Sequence, residues 1–118
     1  LAELAREVHS IERIPELAEQ ARGNLARAGY DRVRVHVGDG TLGLPEHAPF
    51  DGIAVAAAAP DVPAPLWAQL REGARIVVPI GELQLQELIV IERTPGGPRV
   101  HESIPARFVP LLGEEGYA

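Results

Sequence analysis

Between residues 8 and 37 the hydrophobic period changes twice, and this switch constrains the fold more than any other feature of the chain. Residues 8–12, Val-His-Ser-Ile-Glu, alternate as a strand does and end on an acid. Pro15 then stands where a first helical turn tolerates it, and Leu17, Ala18, Ala21, Leu25 and Ala28 recur at three- and four-residue steps. Gly29 supplies a left-handed cap, after which Val33, Val35 and Val37 alternate with Arg34 and His36. Strand, amphipathic helix and strand in this order make a βαβ unit, whose strands run parallel.

The alternation continues downstream. Gly38-Asp39-Gly40 breaks the second strand, and a Pro-containing polar loop leads to the apolar run of residues 50–59. Near-continuous hydrophobicity suits a strand covered on both faces, so this run is expected to be a central strand, ended by Pro60. Pro63 and Pro65 open a short helix carrying Leu66, Trp67 and Leu70, which Gly73 is expected to stop, and residues 74–80 form the next buried strand. Residues 87–92 and 99–104 are separated by Thr94-Pro95-Gly96-Gly97-Pro98, too short for a parallel crossover, so they make a hairpin. The expectation is an α/β, Rossmann-like sheet of parallel strands with a C-terminal antiparallel hairpin, forming one domain over residues 1–118. Residues 1–6 read as the tail of a helix, and with Leu1 first and no Met the chain reads as lacking an N-terminal portion.

Composition removes whole chemistries. With 11 Lys+Arg, all of them Arg, against 17 Asp+Glu, the net charge is −6, and no basic stripe is present for a phosphate backbone, so nucleic acid is not expected as a partner. The missing lysines exclude Schiff-base chemistry and a Walker A loop. Cys is 0, which excludes disulfides, zinc–thiolate sites and a cysteine nucleophile, and points to a reducing, cytoplasmic compartment. No apolar stretch approaches the ~20 residues of a bilayer span, so no membrane is expected. His9, His36, His47 and His101 show no two-ligand helical spacing, so no metal is expected. Ser10 and Ser103, the only serines, lack a nucleophile-elbow context, and no catalytic residue is assigned.

Two acids stand at successive strand ends, where doubly wound folds place their ligand crevice. Glu12 can accept both hydroxyls of a ribose, or be a solvated acid favoured by the dipole of the following helix. Asp39 can accept from an adenine amino group, with Gly38 and Gly40 letting the backbone approach a flat ligand, or be an ordinary Asp-Gly turn. As a pair they fit an adenosine better than two unrelated turns. Ala56 to Ala59 and Pro60 end the central run with small side chains that leave room beside the backbone, or that serve crowded helix packing.

These residues carry a resemblance. The run from Val8 through Glu12, Arg13, Ile14 and Pro15 to Ala18, then Gly29-Tyr30 and the run from Val37 through Gly38-Asp39-Gly40 to Gly43, resemble the protein-L-isoaspartate O-methyltransferase family. Ala48-Pro49-Phe50-Asp51, Ala57-Ala58-Ala59-Pro60, Leu70-Arg71-Glu72-Gly73, Val78-Pro79-Ile80-Gly81 and Arg107-Phe108-Val109-Pro110-Leu111 follow in the family's order. The resemblance implies S-adenosyl-L-methionine as cofactor, with Glu12, Arg13, Gly38, Asp39, Gly40 and Ala57 around it. It implies that Ala59, Pro60, Arg107, Phe108, Val109 and Pro110 border the substrate, an isoaspartyl-containing protein or peptide whose free carboxyl is methylated in protein repair. A related enzyme acting on aspartate in a specific peptide, and a noncatalytic peptide-binding module, are the alternatives. A carboxyl of pKa near ~3.5 is already anionic at neutral pH, so the reaction needs no general base.

Overall fold

A computed structural model of the chain describes residues 1, 3–82 and 84–117. The elements run β1 (His9–Glu12), α1 (Pro15–Arg27), β2 (Arg34–Val37), β3 (Phe50–Ala54), α2 (Ala64–Gln69), β4 (Leu70–Glu82), β5 (Leu85–Thr94) and β6 (Gly97–Ala106). They fall into two compact units, Leu1–Gly40 and Thr41–Ala118. Among the described residues no helix is long and apolar enough to cross a membrane.

The first unit is the expected βαβ. β1 and β2 pair in parallel, from His9 opposite Arg34 to Glu12 opposite Val37. Pro15 occupies the first turn of α1, where its missing N–H costs nothing. At the other end Gly29 adopts φ +86, its N–H reaching the Ala26 carbonyl at 3.1 Å while the Tyr30 N–H reaches that of Leu25 at 2.7 Å. This Schellman pairing satisfies carbonyls that the helix itself leaves open. A Cβ at Gly29 would meet nothing within 4 Å, so the backbone angle and not space requires the glycine. Of the periodic positions, Ala18 is fully buried, Ala21 and Leu25 are half-buried, and Leu17 and Ala28 are exposed. The helix expected over residues 1–6, of which Ala2 lies outside the described residues, is a single turn in which the N–H groups of Leu4 and Ala5 reach the Leu1 carbonyl at 3.0 and 2.9 Å. One turn fixes several dihedrals for little return and does not propagate alone.

The second unit holds a four-stranded sheet in the order β3-β4-β5-β6, with β3 parallel to β4 and the other pairs antiparallel. Its core is Leu66, Leu70, Ala74, Ile76, Val78 and Ile91, against which Trp67, Ile53 and Ile89 pack. The apolar run of residues 50–59 is not one central strand. β3 stops at Ala54 and is an edge of its sheet, and Ala58 and Ala59 follow as separate bridges. Gly73 does not stop α2 either: Leu70 is already extended, and Gly73 with φ +86 sits where the β3–β4 register jumps from Phe50–Leu70 to Gly52–Arg75. The extra β4 residues bulge out there, which a left-handed glycine accommodates. α2 instead ends under Arg93, whose Nη1 donates to the carbonyls of Trp67, Ala68 and Leu70 at 2.9, 3.2 and 2.8 Å.

The antiparallel part is one strand larger than expected. β4 turns directly into β5, Glu82 facing Leu85, and β5 into β6, Thr94 facing Gly97 across Pro95-Gly96. Thr94 Oγ1 donates to the Gly97 carbonyl at 2.6 Å and closes the second turn.

Candidate functional site

In the first unit Glu12 is the last residue of β1, and its carbonyl accepts the Gly38 N–H at 3.0 Å, one step beyond the end of β2. That bond extends the parallel ladder past Val37 and brings Glu12 beside the Gly38-Asp39-Gly40 turn. The Glu12 carboxylate is half-buried, and its Oε1 accepts the Ile14 N–H at 3.2 Å, just ahead of α1. The side chain therefore steadies the strand-to-helix turn, and its Oε2 has no hydrogen-bond donor among the described residues.

Gly38 and Gly40 are not required by backbone angle, since neither has positive φ. A Cβ at either would meet nothing within 4 Å. The turn thus presents bare backbone to open space next to a carboxylate, the arrangement a flat, hydroxyl-bearing ligand needs. Asp39 is half-buried and engaged with protein groups, and Arg13 is exposed.

In the second unit the structure joins two segments that the sequence holds far apart. The Ala58 N–H donates to the Val109 carbonyl and the Leu111 N–H to the Ala58 carbonyl, both at 2.7 Å. On the other side the Ala59 N–H donates to Pro79 at 2.9 Å, and the Gly81 N–H to Ala59 at 3.1 Å. Ala58 and Ala59 are fully buried because backbone runs against them on both sides, which is why no larger side chain stands there. Ala57 is half-buried and Pro60 exposed at the rim of this bridge. Val109, Pro110 and Arg107 are exposed, Phe108 is half-buried, and Arg107 makes no ion pair among the described residues.

Sequence reasoning missed what holds residues 107–110 in place. Gln86 on β5 is 1% exposed, and its side-chain amide grips the Phe108 backbone at both ends. Oε1 accepts the Phe108 N–H at 2.6 Å, and Nε2 donates to the Phe108 carbonyl at 3.2 Å. Tyr117 donates its hydroxyl hydrogen to the Gly81 carbonyl, and buried Thr41 accepts the Glu115 N–H at 3.1 Å. The available signal was Gln86 itself, a polar residue ahead of the apolar run Leu88-Ile89-Val90-Ile91. Elsewhere, His101 lies 2.6 Å from Glu92 across β5 and β6, and this hydrogen bond holds the Glu92 carboxyl below its ordinary range although burial opposes it.

A parallel βαβ with an acid at its strand end, and a mixed sheet ending in hairpins, are α/β elements of the Rossmann-like kind. A solved protein-L-isoaspartate O-methyltransferase superposes with TM-score 0.82 at 32% identity, over 92% of this chain and 35% of that one. A Plasmodium falciparum structure described as a protein-L-isoaspartate O-methyltransferase in complex with S-adenosyl-L-homocysteine shares the fold at TM-score 0.73 and 24% identity, over 90% of this chain and 52% of that one.

Residues 1–116 match the family model for protein-L-isoaspartate(D-aspartate) O-methyltransferase, and the chain belongs to that family. It is 59% identical to protein-L-isoaspartate O-methyltransferase 2 of Marinobacter nauticus, over 99% of this chain and 54% of the relative. The Hyperthermus butylicus protein-L-isoaspartate O-methyltransferase is 56% identical over 93% of this chain and 46% of its own length. The chain spans about half the length of the curated relatives it matches.

Proposed function

We propose that this chain supplies the ribose- and adenine-holding strand ends and the peptide-holding segment of an S-adenosyl-L-methionine-dependent methyltransferase acting on the free carboxyl of L-isoaspartyl residues in damaged proteins. The observation that carries the reading is the Glu12–Gly38 juncture, a carboxylate beside bare backbone at two parallel strand ends, in a chain of this family. The residues fit the cofactor: Glu12 Oε2 takes ribose hydroxyls, Gly38 and Gly40 admit the adenine plane, and Asp39 accepts from its amino group. When bound, the cofactor would supply a sulfonium methyl for transfer to a carboxylate oxygen, the electron pair of the broken methyl–sulfur bond staying on the sulfur, which leaves as a neutral thioether.

Ala58 holds Val109 and Leu111 by backbone bonds, and Gln86 holds Phe108, so residues 107–110 form a braced rim with an exposed guanidinium at Arg107. Such a rim presents backbone and one cation to an anionic peptide group. Because the attacking carboxylate is ionised at neutral pH, the protein's task is alignment and exclusion of water, worth up to about 7–11 kcal/mol.

The test is transfer of labelled methyl from S-adenosyl-L-methionine to an isoaspartyl peptide and to its aspartyl counterpart. It uses this chain and a polypeptide of the relatives' length, because β1 and β3 each have one strand neighbour here. Labelling confined to the isoaspartyl peptide supports the reading. Equal labelling of the aspartyl peptide replaces it with the side-chain methyltransferase, and peptide binding without cofactor binding replaces it with a noncatalytic module.

A further inference from the structure

We propose that His9 and His36 form a binding site for one late first-row divalent metal ion, on the sheet face opposite the Glu12 carboxylate. The two histidines stand 27 positions apart and meet because β1 and β2 are parallel, with His9 opposite Arg34 and Ile11 opposite His36. His9 and His36 are thus diagonal neighbours on one face of the pair, and Glu12, an odd number of residues from His9, projects from the other. Their rings stack with centroids 5.2 Å apart and planes at 28°.

The donor atoms converge. His9 Nδ1 lies 2.9 Å from His36 Nε2. With metal–nitrogen bonds of about 2.0–2.1 Å, a 2.9 Å separation corresponds to a bite angle of about 90°, the cis angle of tetragonal or octahedral coordination. The tautomer is set from behind: His9 Nε2 lies 2.8 Å from Glu7 Oε1, and a carboxylate only accepts, so the hydrogen is on Nε2 and the lone pair on Nδ1 faces His36. A carboxylate orienting an imidazole from its far nitrogen is the support that metal-ligating histidines use. The His9 side chain is 6% exposed, so little rotamer freedom is left to lose on binding.

In the metal-free pair a hydrogen on His36 Nε2 lies between the two nitrogens. The cation takes its place, and His36 carries that hydrogen on Nδ1 instead, so no proton is gained or lost. Two imidazole nitrogens select Cu²⁺, Ni²⁺ or Zn²⁺ over Mg²⁺ and Ca²⁺, with water filling the remaining positions.

The experiment is calorimetric titration of the full chain with NiCl₂, alongside MgCl₂, and the electron paramagnetic resonance spectrum of the chain with one equivalent of Cu²⁺. One Ni²⁺ per chain, no Mg²⁺, and coupling from two nitrogens are expected. His9→Gln and His36→Gln should each weaken Ni²⁺ at least tenfold, Glu7→Gln roughly 10–100-fold, and His101→Ala should leave binding unchanged. Far-UV circular dichroism checks that each variant keeps its fold, and bound Ni²⁺ should raise the melting temperature of the unaltered chain and of His101→Ala, but less or not at all that of His9→Gln and His36→Gln. Unchanged Ni²⁺ affinity in His9→Gln or His36→Gln, loss in His101→Ala, or the absence of saturable one-site binding overturns the proposal.

Discussion

The Gly38 N–H donates to the carbonyl of Glu12 at 3.0 Å, so the end of one parallel strand is fastened to the turn that follows the other. The same glutamate holds the Ile14 N–H through Oε1, which makes it both a turn element and a carboxylate with an oxygen to spare. These roles separate experimentally.

Replacing Glu12 with Ala in a polypeptide of the relatives' length should weaken S-adenosyl-L-methionine binding. Hydrogen bonds to a charged acceptor are worth roughly 1.5–3 kcal/mol, or about 10- to 150-fold in affinity. Calorimetry reads the affinity, and the melting temperature reads the turn. A fall in melting temperature with an unchanged dissociation constant would leave Glu12 a turn residue only.

Gln86→Leu should detach the segment that carries Arg107 to Pro110. The change strips partners from both the Phe108 N–H and its carbonyl, and each buried group left unsatisfied costs about 1–3 kcal/mol. Urea unfolding should show the loss, and proteolysis should become faster near residue 108. A loss below about 0.5 kcal/mol, the range of an ordinary surface change, would mean that the segment is held by its other bonds, those to Ala58 and those made through Tyr117 and Thr41.

What was legible in the sequence was what has a period. β1, α1 and β2 follow from alternation, three- and four-residue steps and a glycine cap, and they carry Glu12 and Asp39 to adjacent strand ends. Contacts between distant segments leave no such trace. The four small residues before Pro60 read equally as space for a ligand or as tight packing, and the structure gives tight packing at Ala58 and Ala59, set by the passage of Val109–Leu111 on one side and Pro79–Gly81 on the other. Gly73 carried a helix-stop signal because a glycine after an apolar helix usually caps it, but here Arg93 satisfies those carbonyls and the glycine serves a bulge. The histidine pair escaped because helical spacing was the criterion, whereas His9 and His36 meet across strands.

Acid should loosen the β5–β6 hairpin through Glu92. Its carboxyl is held below the ordinary range by the hydrogen bond to His101, so the folded state favours the ionised form. The stabilisation is fully present above the unfolded carboxyl's value, near ~4.3, and is lost as pH falls through the lower folded value. Denaturation followed from pH 6 downward should therefore be less acid-sensitive in Glu92→Gln than in the unaltered chain. Identical pH profiles would remove this pair from the hairpin's stability.

Gly81 and Gly97 give a comparison of backbone strain with and without crowding, because both have positive φ, +140 and +115, and both sit at hairpin connections of the same sheet. A Cβ at Gly97 would meet nothing within 4 Å, so Gly97→Ala should cost only the conformational strain, about 1–3 kcal/mol. A Cβ at Gly81 would lie 2.4 Å from the Leu85 carbonyl oxygen, a backbone atom that cannot move without opening the turn. Gly81 also donates its N–H to Ala59 and accepts the Tyr117 hydroxyl hydrogen, so displacing it disturbs the bridge beside the Ala58–Val109 pairing. Gly81→Ala should therefore lower the urea midpoint clearly more than Gly97→Ala and expose the C-terminal segment to protease, which Gly97→Ala should not. Equal midpoints for the two variants would mean that the turn after β4 yields to a methyl group, and that the position of residues 107–117 does not depend on it.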